Sequence, residues 1–439
     1  MEQQTSTAPT NQKHLFLKVG FVFLLIFFLM IPMYWIQGLI AEREYLQKNV
    51  EFEVANSWGQ EQLIRGPILC IPFEETTLIN GKPYTDNHLF FLTPDDLSIQ
   101  ANANSETRTK GIFNTVVFTS DNTITGSFNM ETIPKPTNIR YRYSDAVMIT
   151  GITDQTAITN KIETKWNDLV SKTLPGTKHT GFGNAGFHCS TPINPEQEKF
   201  SFSQQFTARG STAISFLPSG KNSDIDIKSN WNSPSFTGRN LPQQREITDK
   251  GFVAHWDASE YNRPFADYWR DDEYKFDSNT GVFGVKLYQS ADFYQKNMRS
   301  AKYAFLVITL SFMVFFFYEM LLKIKIHPIQ YIMIGLSLAI FYALLISFTE
   351  HFGFNQAYLI SAIAVIALIA FYAYAIIRKT KLIVLLTGLF GMLYAYIFVL
   401  LQLEDYALLA GSIGLFVILA AVMTMSRKVN WYQIGMATS

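Results

Sequence analysis

Charge is what this chain lacks. Asp, Glu, Lys and Arg make up only 16% of its 439 residues, against roughly a quarter in soluble proteins. Acids and bases balance to a net charge of zero, so no global field favours nucleic acid and no such partner is expected. Cysteine is equally scarce, with Cys70 and Cys189 alone. Two cysteines show no framework spacing. A disulfide between them stays open, with two unpaired buried thiols as the default. No CxxC or Cys/His cluster suggests a structural metal. GxSxG, HExxH and a phosphate-binding glycine loop are also missing. No catalytic, cofactor-binding or metal-ligating residues are therefore expected, and the chain does not read as an enzyme.

What is present is apolar text, 48% of the chain. An α-helix rises about 1.5 Å per residue, so about 20 apolar residues cross about 30 Å of hydrocarbon. Six runs qualify: 19–39, 303–322, 329–348, 357–377, 382–401 and 406–425. Backbone in lipid must satisfy its own hydrogen bonds, so the runs should be helices. The first is longer than a signal-peptide core, and "GLIAER" is a poor cleavage site, which favours an uncleaved anchor. Basic residues stand before the first run (Lys13, Lys18), between the second and third (Lys323, Lys325), between the fourth and fifth (Arg378, Lys379, Lys381) and after the sixth (Arg427, Lys428). The loops "TEHFGFNQ" and "QLED" hold neither Lys nor Arg. Excess Lys and Arg mark the cytoplasmic side. Both termini are thus expected in the cytoplasm, and residues 41–300 outside it, in the periplasm of a double-membrane bacterium.

The expected architecture is an α+β membrane protein, a six-helix transmembrane bundle plus a large antiparallel β-sandwich-like periplasmic domain. Its parts are a disordered cytoplasmic tail (1–14), a signal anchor (15–40), a β-rich periplasmic domain (41–300), a five-helix membrane domain (301–426) and a second cytoplasmic tail (427–439). Period-two text such as "FSFSQQF" and "DIDIKSNW", broken by "NG", "PSG" and "SDN" turns, argues for antiparallel strands. "NKIETKWNDLV" (160–170) has helical spacing at Ile162, Trp166, Leu169 and Val170, and "FTGRNLP" reads as a loop. His179 and His188 flank a glycine-rich stretch. They could ligate a metal only with partners from elsewhere, and a flexible loop is the default. Asp257 and Glu260 beside His255 read equally well as surface residues.

Polar residues at the membrane are more informative. Glu319 sits about one turn from its helix end. A buried charge there should face the bundle or reach the interface. An i,i+4 pair with Lys323 is the plain account. The sharper one is a polar cluster of Glu319, His327 and Gln330. On the opposite side lie Glu350, His351, Gln402, Glu404 and Asp405, which either cap helices or form one acidic–histidine site. Pro328 suits the first position of a helix, where its missing N–H costs nothing. Small residues at Ala364, Ala367, Ala370 and Ala373, and at Ala407/Gly411 and Ala410/Gly414, allow helices to approach closely.

"KYAFLVITLSFMVFFFYE", "IHPIQYIMIGLSLAIFYALLISFTEHFGFNQAYLI", "LQLEDYALLAGSIGLF", "WNSPSFTGRNLP" and "SWGQEQLIRGPILCIPF" together resemble the CreD family of bacterial inner-membrane cell envelope integrity proteins. The resemblance covers nearly the whole chain beyond about residue 45. It implies an inner-membrane protein with a large periplasmic domain, linked to envelope-stress and β-lactam responses under a two-component system. That family has no established catalytic activity, so only motif membership carries over, for Glu319, His327, Pro328, Gln330, Tyr331, Glu350, His351, Glu404 and Asp405. The expected function is support of envelope integrity, with the β domain binding a periplasmic protein, a glycan or a lipid-linked component. Membrane lipids are expected around the helices. The alternative, of a different class, is a transporter or channel for a small substrate, with its path past Glu319 and His327.

Overall fold

A computed structural model of the chain describes residues 10–178, 185–263, 265–271, 273, 281–287, 293–322, 326–377, 379–403 and 406–427. Glu404, Asp405, His179, Lys323 and Lys325 lie outside them. The chain forms two compact units, Met1–Gln47 with Ser290–Ser439, and Lys48–Gln289.

Helix α1 runs from Thr10 to Trp58, 49 residues without a break, or about 73 Å. Its apolar text ends near Leu39, but "AEREYLQKNVEFEVANSW" contains neither Gly nor Pro, so nothing stops the helix there. It ends at Gly59. The remaining helices are α2 (Phe293–Lys302), α3 (Ala304–Leu322), α4 (Pro328–Phe352), α5 (Phe354–Ile377), α6 (Thr380–Gln402) and α7 (Ala407–Ser426). Among the described residues, α1, α4, α5 and α6 are each long and apolar enough to span a membrane. Helices α2 and α3, bent by 45°, make a fifth span if counted together, while the apolar part of α7, Leu408–Thr424, is shorter. Four or five of the six expected spans therefore meet this length-and-composition criterion among the described residues.

Large side chains on these helices, such as Phe23, Phe27, Phe28 and Phe371, are more than half exposed. That suits contact with lipid. Inside the unit, packing rests on small-to-large contacts. A Cβ on Gly335 of α4 would come within 2.4 Å of Leu29 of α1 and 2.9 Å of Phe312 of α3. Glycine therefore lets these helices touch. On α7 the Tyr396 ring lies where a Cβ on Gly414 would sit, and its hydroxyl reaches the Ala410 carbonyl at 3.2 Å. The alanine stripe behaves differently from expectation. Ala373 is buried, but Ala364 and Ala367 are exposed. A period of three drifts around a 3.6-residue helix, and the buried face of α5 follows Tyr358, Ala362, Val365, Ile369 and Ala373 instead.

The second unit carries two sheets. The ten-stranded sheet holds β1 (Gln62–Ile79), β2 (Lys82–Leu92), β5 (Ile139–Tyr141), β6 (Val147–Ile152), β9 (Thr173–Pro175), β10 (Gly186–Ser190), β12 (Ala213–Leu217), β14 (Pro234–Gly238), β17 (Tyr268–Arg270) and β18 (Phe283–Leu287). The eight-stranded sheet holds β3 (Asp96–Lys110), β4 (Phe113–Asn129), β7 (Glu163–Trp166), β8 (Leu169–Ser171), β11 (Lys199–Ser211), β13 (Asn222–Ser229), β15 (Gln244–Thr248) and β16 (Gly251–Ser259). One apolar core joins them, with Leu69, Phe73, Met148 and Phe216 from the first sheet and Phe118, Phe128, Phe202 and Trp256 from the second.

Three expectations need correction. The sheets are mixed rather than purely antiparallel, because β1 pairs with β12 and β3 with β13 in parallel. Residues 163–171 are a hairpin, not a helix, turning at Asn167, whose φ is +51°. Thr164 and Trp166 are buried two residues apart, whereas Leu169 and Val170 are 75% and 79% exposed; burial there follows a period of two. "FTGRNLP" begins inside strand β14.

Cys70 and Cys189 are free and buried. Cys189 belongs to the main core with Leu69 and Met148, and Cys70 to a second cluster with Val147 and Ile149. The two clusters alternate along the same strands, so the thiols occupy opposite faces of the sheet. Burial pushes both thiols up to about 12.

Candidate functional site

Helix α1 carries a basic residue at each end of its apolar stretch. Lys18 and Arg43 are 25 residues apart, about 37 Å along the axis. Each meets a glutamate from another helix. Lys18 forms an ion pair with Glu319 of α3. It also donates to the Ile326 carbonyl at 2.8 Å, and its Nζ lies 5.8 Å from the Tyr331 ring centre. Glu319 further accepts from the Tyr331 hydroxyl at 3.0 Å and the Ile326 N–H at 3.3 Å. At the other end, Arg43 Nε lies 3.7 Å from Glu350 of α4, and the Tyr294 hydroxyl of α2 donates to Glu350 at 3.2 Å.

These contacts redraw the expected clusters. Glu319 is paired with Lys18, from a helix 301 positions away in sequence. The suggested partners His327 and Gln330 do something else. The His327 ring accepts from the Ile329 N–H at 3.3 Å, and Gln330 Oε1 accepts from the His327 N–H at 2.8 Å. They close the first turn of α4, where Pro328 takes the first helical position. Tyr331, about one turn into α4, is fully buried. His351 is exposed, with its ring edge-on to Phe352, and Glu404 and Asp405 of the same expected grouping lie outside the described residues. Gln402 hydrogen-bonds Asn355 at 2.5 Å and accepts from Lys296 at 3.4 Å. Sequence reasoning missed Arg43 and Tyr294, and used Lys18 only to set orientation. A count of charges near both ends of each apolar run would have flagged Lys18 and Arg43, whereas Tyr294 carries no such signal.

The β unit holds two further polar groupings. His88 Nδ1 lies 2.8 Å from Asp271, and its ring stacks on Phe73 at 5.3 Å. Arg270, its guanidinium carbon 4.6 Å from the Phe73 ring centre, hydrogen-bonds Glu75 and holds its carboxyl below the ordinary range. This network ties β17 across β2 to β1. Asp224, Asp226 and His255 bring their ligand atoms within 4.8 Å of one another. The hydrogen bond from His255 Nδ1 to Asp226, at 3.0 Å, accounts for that approach. His188 is buried on β10, with Nδ1 2.6 Å from the Gly176 carbonyl.

A cleft of about 940 Å³ opens between the ends of the two sheets. The last strand of one sheet is β8 and of the other β9, each three residues long. Ile158, Ile162, Val170, Leu174 and Phe187 are the apolar residues of its lining. Its charged lining is Lys161, Lys165, Lys172 and Glu163. Thr173 donates to Thr164 across it at 2.8 Å. One strand behind, Gln204 pairs in register with Thr164 and is fully buried, accepting from Thr150 at 2.8 Å, while its Nε2 has no partner among the described residues. Clefts of about 300–1,000 Å³ with apolar walls and a few polar groups are the usual form of ligand sites. The sequence concealed this one, because the stretch that lines it read as a helix.

The sequence profile of the CreD family, described as "Inner membrane protein CreD", matches residues 14–432. The chain is also 30% identical over 427 residues to the inner membrane protein CreD of Escherichia coli (strain K12), across 96% of this chain and 95% of that protein. Apolar helices, a large mixed-sheet unit and a match spanning almost the full length together place this chain in the CreD family of inner membrane proteins.

Proposed function

We propose that the chain is a membrane-anchored binding protein that supports the integrity of the cell envelope, and that its β unit, not its helices, holds the ligand. The cleft between β8 and β9 carries this reading, since it combines pocket-sized volume with apolar walls and basic side chains. Binding, rather than catalysis, is the role that this lining supports. In this proposal all six apolar runs cross the membrane, both termini are cytoplasmic and the β unit is periplasmic. The support is the placement of Lys and Arg in alternate loops of the sequence. The resemblance to envelope integrity proteins supplies the biological setting.

Cells lacking the chain should show greater β-lactam-induced leakage of a periplasmic reporter enzyme, and the wild-type chain should restore tightness. Ile162→Trp, which fills the cleft, should accumulate normally in the membrane yet fail to restore it. Full restoration by that variant removes the cleft from the function. Unchanged leakage in the deletion strain removes the envelope role itself.

A further inference from the structure

We infer that the cleft between β8 and β9 takes a single-chain anionic amphiphile, an apolar tail ending in a phosphate or carboxylate. The inference rests on the binding role proposed above and names its ligand class.

Shape and charge both point there. The side chains of the lining residues Ile158, Ile162 and Phe187 are hydrocarbon. Val170, also in the lining, is 79% exposed and Leu174 is 43% exposed, at the outermost strand of each sheet. Apolar side chains at a sheet edge are usually covered or replaced by charge. Both instead stay open beside the cleft. An apolar tail laid along the lining removes apolar surface from water, at about 25 cal/mol per Å² of apolar area.

Charge selects the head. Lys161, Lys165 and Lys172 face a single acidic neighbour in the lining, Glu163. All three lysines are exposed, and none of them forms an ion pair among the described residues. Three flexible ammonium groups in one lining suit a phosphate or carboxylate, which each can approach as a point charge. A cationic head would meet repulsion, and an uncharged head would leave the lysines unused. The Thr164 and Thr173 hydroxyls add neutral polar contacts within the same lining. A bare anion, lacking a tail, gains nothing from the apolar walls.

The test uses the full chain in nanodiscs of zwitterionic phosphatidylcholine, titrated calorimetrically with octyl phosphate and with octanoate, each below its micelle concentration. Empty nanodiscs supply the partition background. Saturable binding of at least one anion above that background is expected, with octyl glucoside, octyltrimethylammonium and inorganic phosphate giving none. Binding of octyl phosphate alone assigns the site to phosphorylated lipids, and stronger octanoate binding assigns it to fatty acids. Reversing the three exposed lysines together (K161E, K165E, K172E) should weaken binding about tenfold or more. Ile162→Trp should abolish it through the walls rather than the charge. Unchanged affinity in the triple variant, with circular dichroism reporting an intact fold, overturns the inference. So does equal binding of the neutral or cationic probe, or no saturable binding of either anion. If the anions fail to bind while Ile162→Trp still fails to restore envelope tightness, the cleft keeps its role and only the ligand class falls.

Discussion

The two ends of the apolar stretch of helix α1 present the same chemistry at different strengths. At one end Glu319 is saturated by an ammonium, a tyrosine hydroxyl and a backbone N–H, and Lys18 has a carbonyl as well. At the other, Glu350 has Tyr294 and a guanidinium at 3.7 Å. The two glutamate side chains are equally shielded, at 12% exposure, but Lys18 is 22% exposed and Arg43 39%. Shielding of the acid is thus not what separates the ends. The base decides it: a lysine enclosed by several partners becomes part of the fold, while a half-exposed arginine can trade its acid for water. The first end is a structural clasp and the second a looser tether.

The largest expected effect comes from breaking the clasp. Glu319→Gln leaves Lys18 without a counter-charge and should cost about 3 kcal/mol, read as a lowered midpoint of thermal unfolding in detergent. Replacing both partners with Met should recover most of that loss, because neither charge is then left unpaired. Tyr331→Phe removes one hydrogen bond to the same carboxylate and should cost about 1.5 kcal/mol. Glu350→Gln should cost about 1 kcal/mol or less, since Arg43 can turn to solvent. Smallest of all, raising the salt should narrow the gap between wild type and Glu350→Gln by a few tenths of a kcal/mol, and leave the Glu319→Gln gap unchanged. A loss at Glu350 as large as that at Glu319 would dissolve the distinction between clasp and tether.

Sequence patterns disclosed the broad division of the chain, because lipid and water impose different compositions on long stretches. They disclosed the start of α4 as well, since His327, Pro328 and Gln330 act on their own local backbone. The partner of Glu319 was invisible. The i,i+4 rule proposes only neighbours on one helix, and Lys18 arrives from another. The extent of α1 was missed for a different reason. Hydropathy marks where lipid ends, and a helix of good formers continues past that point. The hairpin at 163–171 was lost because Ile162, Trp166, Leu169 and Val170 fit a helical spacing by coincidence. Burial later selected Thr164 and Trp166. The parallel pairings had no local signal at all, since they join strands far apart in the chain.

Those parallel pairings constrain how the chain can be made. Strand β1, near residue 62, lies beside β12, near residue 214, and β12 in turn lies beside β18, which ends at Leu287. As the nascent polypeptide emerges from its amino end, the later part of its first strand can pair at once with β2, but the segment Gln62–Arg65 must wait for β12, about 150 residues behind it. Sheets assembled from such distant segments form slowly. A stop codon anywhere before position 283 should therefore yield protease-sensitive fragments rather than a smaller stable domain, and the early strands invite chaperone protection during synthesis.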